Sequence, residues 1–252
     1  MTNKCAIAQV FGANANPMYA AAGQKGHTGV DEHCGYGSEI YALKRGWVYK
    51  ILDKDHPAND GSGYWGVFII AQESDGTFSE WQVGHCSKIF CAVGDPVEPW
   101  TLIAEEGNRG GVYEGNVQIT KVMQDAGDHR GSHRHWNKKP LRRQTEVQRD
   151  AEGGMHLTNW GPSGQVYEDK QGFVYQVLNY KNGYNGSVDP MKDIDDGYAA
   201  INNRGQELTT EESKVVEDGI RVAGEALKTP SKWEAALGLL RTLSEYLKAK
   251  LK

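Results

Sequence analysis

Two histidines separated by one residue, His133-Arg-His135, constrain this chain more than any other feature. Alternate residues of a strand point to the same face, so an extended backbone here presents both imidazoles to one side of a sheet. Upstream, His27 and Asp31 stand four residues apart in a glycine-lined stretch, and His85 stands alone after Gly84. Two histidines and one aspartate (His27, Asp31 and His135) leave a zinc ion an open fourth position for water, as in catalytic sites. His85 and His133 then remain, and a zinc hydrolase needs residues of that kind to move protons. Read from residues alone, other arrangements compete. His129, His133 and His135 form a small histidine-rich tract that would also suit a metal. Equally, His27 and Asp31 read as a pair closing a turn, with His135 at a strand surface. His33, His56 and His156 read as surface or turn residues.

The order H-x-x-x-D, then a lone H, then H-x-H resembles the lysostaphin-type zinc metalloendopeptidases, which cut peptidoglycan peptides. The text between the motifs is similar too. Gln9-Val-Phe-Gly12 resembles the family's opening strand and turn, and Gly37-Ser-Glu-Ile-Tyr-Ala42 with Arg45-Gly-Trp-Val48 resembles its next hairpin. Gly84-His-Cys-Ser-Lys-Ile89, Val93-Gly-Asp-Pro-Val97 and the run from Ile103 to Gly110 resemble the segments that follow. The resemblance spans roughly residues 6 to 142. It implies one Zn2+ per chain on His27, Asp31 and His135, with His85 and His133 catalytic. His133 would accept the proton of the attacking water, and His85 would stabilise the oxyanion or help protonate the leaving amine. Tyr19 lies where the family often places a tyrosine near the transition state. The spacing to His27 differs slightly, and packing is the other reading. The segment 111–131 is an insertion relative to shorter members, expected to shape substrate choice.

The activity this resemblance implies is hydrolysis of peptidoglycan stem or cross-bridge peptides by a phage or prophage lytic enzyme, an endolysin or tail-associated protein. A competing class is a non-catalytic structural or wall-binding component of a virion or envelope with the same fold. Degenerate members lose a zinc ligand or a catalytic histidine, and none is lost here. A third reading is an activator whose C-terminal helices recruit another hydrolase.

Short β-like runs alternate with glycine turns through the first part of the chain, with Asp60-Gly-Ser-Gly and Ser74-Asp-Gly as hairpin signals. With 31 glycines, this predicts a mainly β protein, an antiparallel sheet or sandwich with C-terminal α-helices. The resemblance implies the lysostaphin-type duplicated hybrid motif. The expected organisation is a metallopeptidase domain over 1–145, a β-rich extension over 146–205 packed on or near it, and a helical segment over 206–252. Gln165 to Tyr180 reads as a hairpin around Lys170-Gln-Gly172. Thr209-x-x-Glu212 and Ser231-x-x-Glu234 are capping boxes. The Trp233–Leu251 stripe and the nearby lysines suit a homo-oligomer or an envelope contact through the last helix. A net charge of −5 without a dominant basic stripe argues against nucleic acid. The opening residues lack a secretory leader's apolar run. The expected setting is therefore the host cytoplasm until holin-dependent release, or the virion. For the same reason the four cysteines, Cys5, Cys34, Cys86 and Cys91, read as reduced thiols.

Overall fold

Alternation dominates the local sequence, and the chain folds accordingly into antiparallel strands. The computed structural model describes residues 5–14, 18–53, 64–144, 148–149, 155–156 and 166–207. The Asp60-Gly-Ser-Gly turn, both capping boxes and the Trp233–Leu251 stripe lie outside the described residues. In chain order, β1 (Ala6–Gln9), α1 (Met18–Ala21), β2 (Val30–His33), β3 (Glu39–Tyr41), β4 (Gly46–Leu52) and β5 (Gly66–Gln72) come first. Next are β6 (Phe78–Gly84), β7 (Lys88–Ile89), β8 (Pro96–Val97) and β9 (Leu102–Glu105). The insertion supplies β10 (Val112–Glu114), β11 (Val117–Ile119) and α2 (Lys121–Asp125). After it come β12 (Arg134–Gln144), β13 (Gln148–Arg149), β14 (Met155–His156), β15 (Val166–Glu168), β16 (Val174–Val177) and α3 (Met191–Glu207).

The main sheet runs β1-β2-β12-β6-β5-β4-β8, with β16 on the far end of β12 and β15 on β16. All of these pairs are antiparallel. β12 is its spine: it pairs with β2 and then β16 along one edge and with β6 along the other. β3, β9 and β7 form a second sheet. The Ser74-Asp-Gly signal is the β5–β6 hairpin, where Asp75 Oδ1 accepts from the Thr77 amide (3.0 Å) and hydroxyl (2.6 Å). Gly76 takes φ 82° there, a left-handed conformation that glycine adopts freely. Within 146–205, the described residues form the short β13–β14 ladder, the β15–β16 hairpin around Lys170-Gln-Gly172 and then a helix from Met191. Residues 3–198 form one compact unit, and 199–252 with the first two residues form another. No described helix is long and apolar enough to cross a membrane.

The two faces of β12 differ. On one face, Trp136 of β12 and Trp81 of β6 are both buried and meet edge-to-face, with ring centroids 6.4 Å apart. Such a pair contributes about 1 kcal/mol beyond its buried area. Lys138 and Lys44 lie over the Trp81 ring, 5.5 and 5.9 Å from its centroid. α3 is tied to this face through Tyr198, whose hydroxyl donates to Glu32 Oε2 at 2.7 Å. The Trp136 indole donates to the same oxygen at 2.8 Å. The opposite face is polar near the start of β12 and apolar at its far end, where Ile70, Leu141, Tyr175 and Val177 form a buried cluster.

One expectation is corrected. Cys5 and Cys34 form a disulfide rather than free thiols, with Cα atoms 4.8 Å apart. The register of β1 and β2 explains it: Ala6 pairs with His33, so the two cysteines face each other one step beyond. Cys86 and Cys91 are free.

Candidate metal centre and active-site cleft

The β2–β12 register sets Asp31 directly opposite His135, so both side chains leave the sheet on the same face. His27 joins them from the turn before β2. Its amide donates to the Ala13 carbonyl (2.7 Å), and its own carbonyl accepts from Gly12 (2.9 Å). Gly29 makes the close approach possible: a Cβ there would strike the Trp136 carbonyl and the His135 ring. Three atoms converge as a result. His27 Nε2 is 3.0 Å from His135 Nδ1 and 3.2 Å from Asp31 Oδ1, and His135 Nδ1 is 2.8 Å from that same oxygen. Nitrogen and oxygen ligands ~2.1 Å from a tetrahedral zinc lie about 3.4 Å apart, so the cluster sits a few tenths of an ångström inside a zinc ligand set.

The outer atoms fit the same assignment. His27 Nδ1 faces the Val10 carbonyl at 3.2 Å, a donor's position that leaves the lone pair on Nε2. Burial opposes ionisation of Asp31, but hydrogen bonds from His135 and His27 outweigh it and hold the carboxyl well below its usual range. For His135, burial prevails over the pull of Asp31 and lowers its pKa, favouring the neutral form a metal needs. Among the described residues, His27, Asp31 and His135 are the group able to hold a metal ion. The competing tract does not assemble: His129 is exposed and stacks on Tyr36, with centroids 3.6 Å apart and planes at 9°. His33 is exposed too and faces the Ser132 carbonyl at 2.7 Å.

His85 and His133 stand beside the triad with ring centroids 4.4 Å apart. Each fixes its tautomer through a backbone carbonyl: His85 Nδ1 donates to Arg109 O at 2.7 Å and His133 Nδ1 to Gly131 O at 2.8 Å. Each therefore keeps a lone pair on Nε2, and His133 Nε2 is 3.7 Å from Asp31 Oδ1. Burial, reinforced by His133 and His135, pushes His85 down to about 3, so it is neutral at neutral pH. Tyr19, on α1, has its hydroxyl 3.0 Å from Gln9 Nε2, its donor, and its ring 5.9 Å from that of His27. Burial raises its pKa.

These residues line a cleft of about 1090 Å³. Val112, Tyr113 and Glu114 bring the insertion to its lining, while Gln82, Asn137 and Lys139 extend the lining beyond the triad. Several supporting residues carried no sequence signal of their own. Glu106, fully buried, accepts from the amides of Cys34 (2.9 Å) and Gly35 (3.0 Å), from Ser132 Oγ (3.0 Å) and from Arg134 Nε (3.3 Å). It thereby joins the end of β2 to the start of β12. Asn108 donates to the carbonyls of Asp128 (2.7 Å) and Arg130 (3.0 Å), pinning the loop that delivers His133. Both lie inside the Ile103–Gly110 run, where an acid and an amide between a strand and a glycine turn were the available hint.

No protein-family model matches the chain, and no curated protein does. Solved structures do. LytU is 21% identical, with a TM-score of 0.42 over 79% of this chain and 92% of that one. The catalytic domain of the antimicrobial peptidase lysostaphin from Staphylococcus simulans is 14% identical, with a TM-score of 0.41 over 76% of this chain and 92% of that one. The catalytic domain of the prophage-encoded M23 protein EnpA from Enterococcus faecalis is 16% identical, with a TM-score of 0.37 over 64% and 95%. The chain is similar to each of these, and the chemistry of its site is taken from its own residues.

Proposed function

We propose that this chain is a zinc metallopeptidase that hydrolyses peptide bonds in peptidoglycan stem or cross-bridge peptides. The observation that carries the reading is the convergence of His27 Nε2, Asp31 Oδ1 and His135 Nδ1 within 3.2 Å of one another, on a cleft floor shared with His85 and His133. His27, Asp31 and His135 would hold the zinc, which when bound polarises a carbonyl and acidifies water. His133, its Nδ1–H committed to Gly131 O, presents the Nε2 lone pair and takes the proton of the attacking water. The imidazolium so formed then gives a proton to the leaving amine. His85 is held the same way by Arg109 O, so it donates from Nε2 only after it has gained a proton. Asp31, held ionised by its hydrogen bonds to His135 and His27, would bring a negatively charged oxygen to the metal. The ordered motifs between residues 6 and 142 support peptidoglycan as the substrate; the setting proposed with it is a phage or prophage lytic one, with release through a holin or carriage on a tail.

Digestion of purified walls of several chemotypes, with new amino termini identified by mass spectrometry, tests this. The expected result is one recurrent new terminus from susceptible walls, absent after zinc removal. Walls left intact, or broken only at glycosidic bonds, would overturn it.

A further inference from the structure

Beyond the triad, the same face of β12 continues with Asn137 and Lys139, and register sets Gln82 and Glu80 of β6 opposite them. The cleft follows this row, since Gln82, Asn137, Lys139 and Ser187 line it together with His135. None of them has a part in the proton chemistry. Lys139 is only 8% exposed. Its Nζ lies 3.1 Å from Glu80 Oε1 and donates to the Tyr167 hydroxyl at 3.2 Å. Glu80 does not depend on this lysine alone, because the Tyr49 hydroxyl donates to its Oε2 at 2.5 Å and Tyr167 hydrogen-bonds to it as well. An ammonium has three N–H donors, and among the described residues the Tyr167 hydroxyl accepts one, while Glu80 Oε1 pairs with the charge without accepting a hydrogen bond. The next residues along this face, Leu141 and Phe78, are apolar, so the lysine marks the boundary between cleft and core.

Its neighbours complete a pattern. Asn137, 5% exposed, accepts the Ser187 hydroxyl at 3.1 Å through Oδ1, which leaves its amide N–H groups for another acceptor. Gln82 spends Nε2 on the Tyr64 hydroxyl, which leaves its oxygen to accept. Donors and an acceptor in one row suit an extended peptide, whose own N–H and C=O groups alternate. Four residues separate His135 from Lys139 along β12, ~14 Å at ~3.4 Å per residue.

Resting on the peptidase reading, we propose that Lys139, flanked by Asn137 and Gln82, forms a specificity-determining subsite. It binds a carboxylate or carbonyl oxygen of the substrate about four extended residues from the bond that is cut. The test uses soluble stem-type peptides identical except at that distance, where one carries a free acid, one the amide and one an apolar group. The enzymes are the zinc-loaded wild type, Lys139→Met, Lys139→Arg and the double variant Glu80→Gln/Lys139→Met, which leaves no buried carboxylate unpaired. Lys139→Met and the double variant should lower kcat/KM by about tenfold or more on acceptor-bearing peptides, the scale of a charged hydrogen bond. The loss should appear in KM, with kcat and zinc content kept, and Lys139→Arg should recover most of it. Loss on the acid alone assigns a carboxylate, and equal loss on acid and amide assigns a carbonyl. Wild-type KM in both Met variants on every peptide overturns the subsite and leaves the peptidase reading standing. A wild type that cuts none of the peptides and no wall overturns both.

Discussion

His85 donates its Nδ1–H to the carbonyl oxygen of Arg109 at 2.7 Å while its own backbone sits at φ 62°. That left-handed conformation is costly for a residue with a Cβ, and strain of this kind gathers at functional sites. The turn after β6 thus accepts strain that keeps one imidazole beside His133 and the His27–Asp31–His135 cluster. At this position, His85→Gly should be more stable than His85→Ala by about 1 kcal/mol, because only glycine relaxes the strain. Denaturant unfolding of the two variants measures the difference, and equal stabilities would show that the turn is not strained.

Removing His85 or His133 should separate chemistry from metal binding. Each alanine variant should keep its zinc and lose ~10²-fold or more in kcat, the usual scale of general acid–base help. Metal analysis beside turnover on a cleavable peptide makes the comparison. Wild-type turnover in both variants would remove the proton-transfer roles from these two residues.

The ligand set makes the opposite prediction. His135→Ala and Asp31→Ala should each come out of purification nearly free of zinc, whereas His129→Ala should bind it like the wild type, since His129 stacks on Tyr36 and is not one of the three converging residues. Dialysis against a chelator should abolish hydrolysis, and added zinc should restore it. Full zinc occupancy in His135→Ala would place the metal elsewhere.

Much of this site was legible because its spacing is local. A four-residue step from His27 to Asp31 and a two-residue step from His133 to His135 need only a turn and a strand to converge. The disulfide was not legible, because whether Cys5 meets Cys34 depends on the β1–β2 register, and neither cysteine's neighbours encode it. Glu106, Asn108 and Lys139 were missed for a related reason: each acts through partners brought in by the tertiary fold. The insertion, for which the sequence suggested no elements, folds into the β10–β11 ribbon and α2, whose first turn is capped by Thr120 Oγ1 accepting the Met123 amide at 3.4 Å. Its strands are three residues each, too short to show the apolar run that marks β5.

Gly29 offers a test of the metal site that touches no ligand. Any side chain there meets the Trp136 carbonyl and the His135 ring, so β2 and β12 must part or the imidazole must turn. Gly29→Ala should therefore weaken zinc affinity by at least tenfold, the effect expected when support of a ligand is lost. A competition titration with a chromophoric chelator reads the affinity. Unchanged affinity would mean that the strands absorb the extra methyl group without moving His135.

Stability should fall on acidification through a network remote from the cleft. Lys44 lies 2.7 Å from Asp193 and 3.6 Å from Glu73, and Lys138 lies 2.8 and 3.2 Å from the same two carboxylates. This cluster joins the first turn of α3 to β12 and to the β5–β6 turn. Burial works against ionisation of Asp193, but Lys138 and Lys44 prevail and hold its pKa below the ordinary value. Burial likewise opposes ionisation of Glu73, where the Ser79 hydroxyl and then the two lysines win. Unfolded carboxyls titrate near ~3.9 for Asp and ~4.3 for Glu. A folded pKa below these means that the network's contribution is complete above them and is lost as pH falls through the folded values. Asp193→Asn should consequently lower stability at pH 7 and flatten its decline between about pH 5 and pH 3, where the wild type still gains from the charge. Urea unfolding of both proteins across this range measures the two slopes. Parallel slopes would mean that Asp193 keeps an ordinary pKa and that the acid sensitivity arises elsewhere.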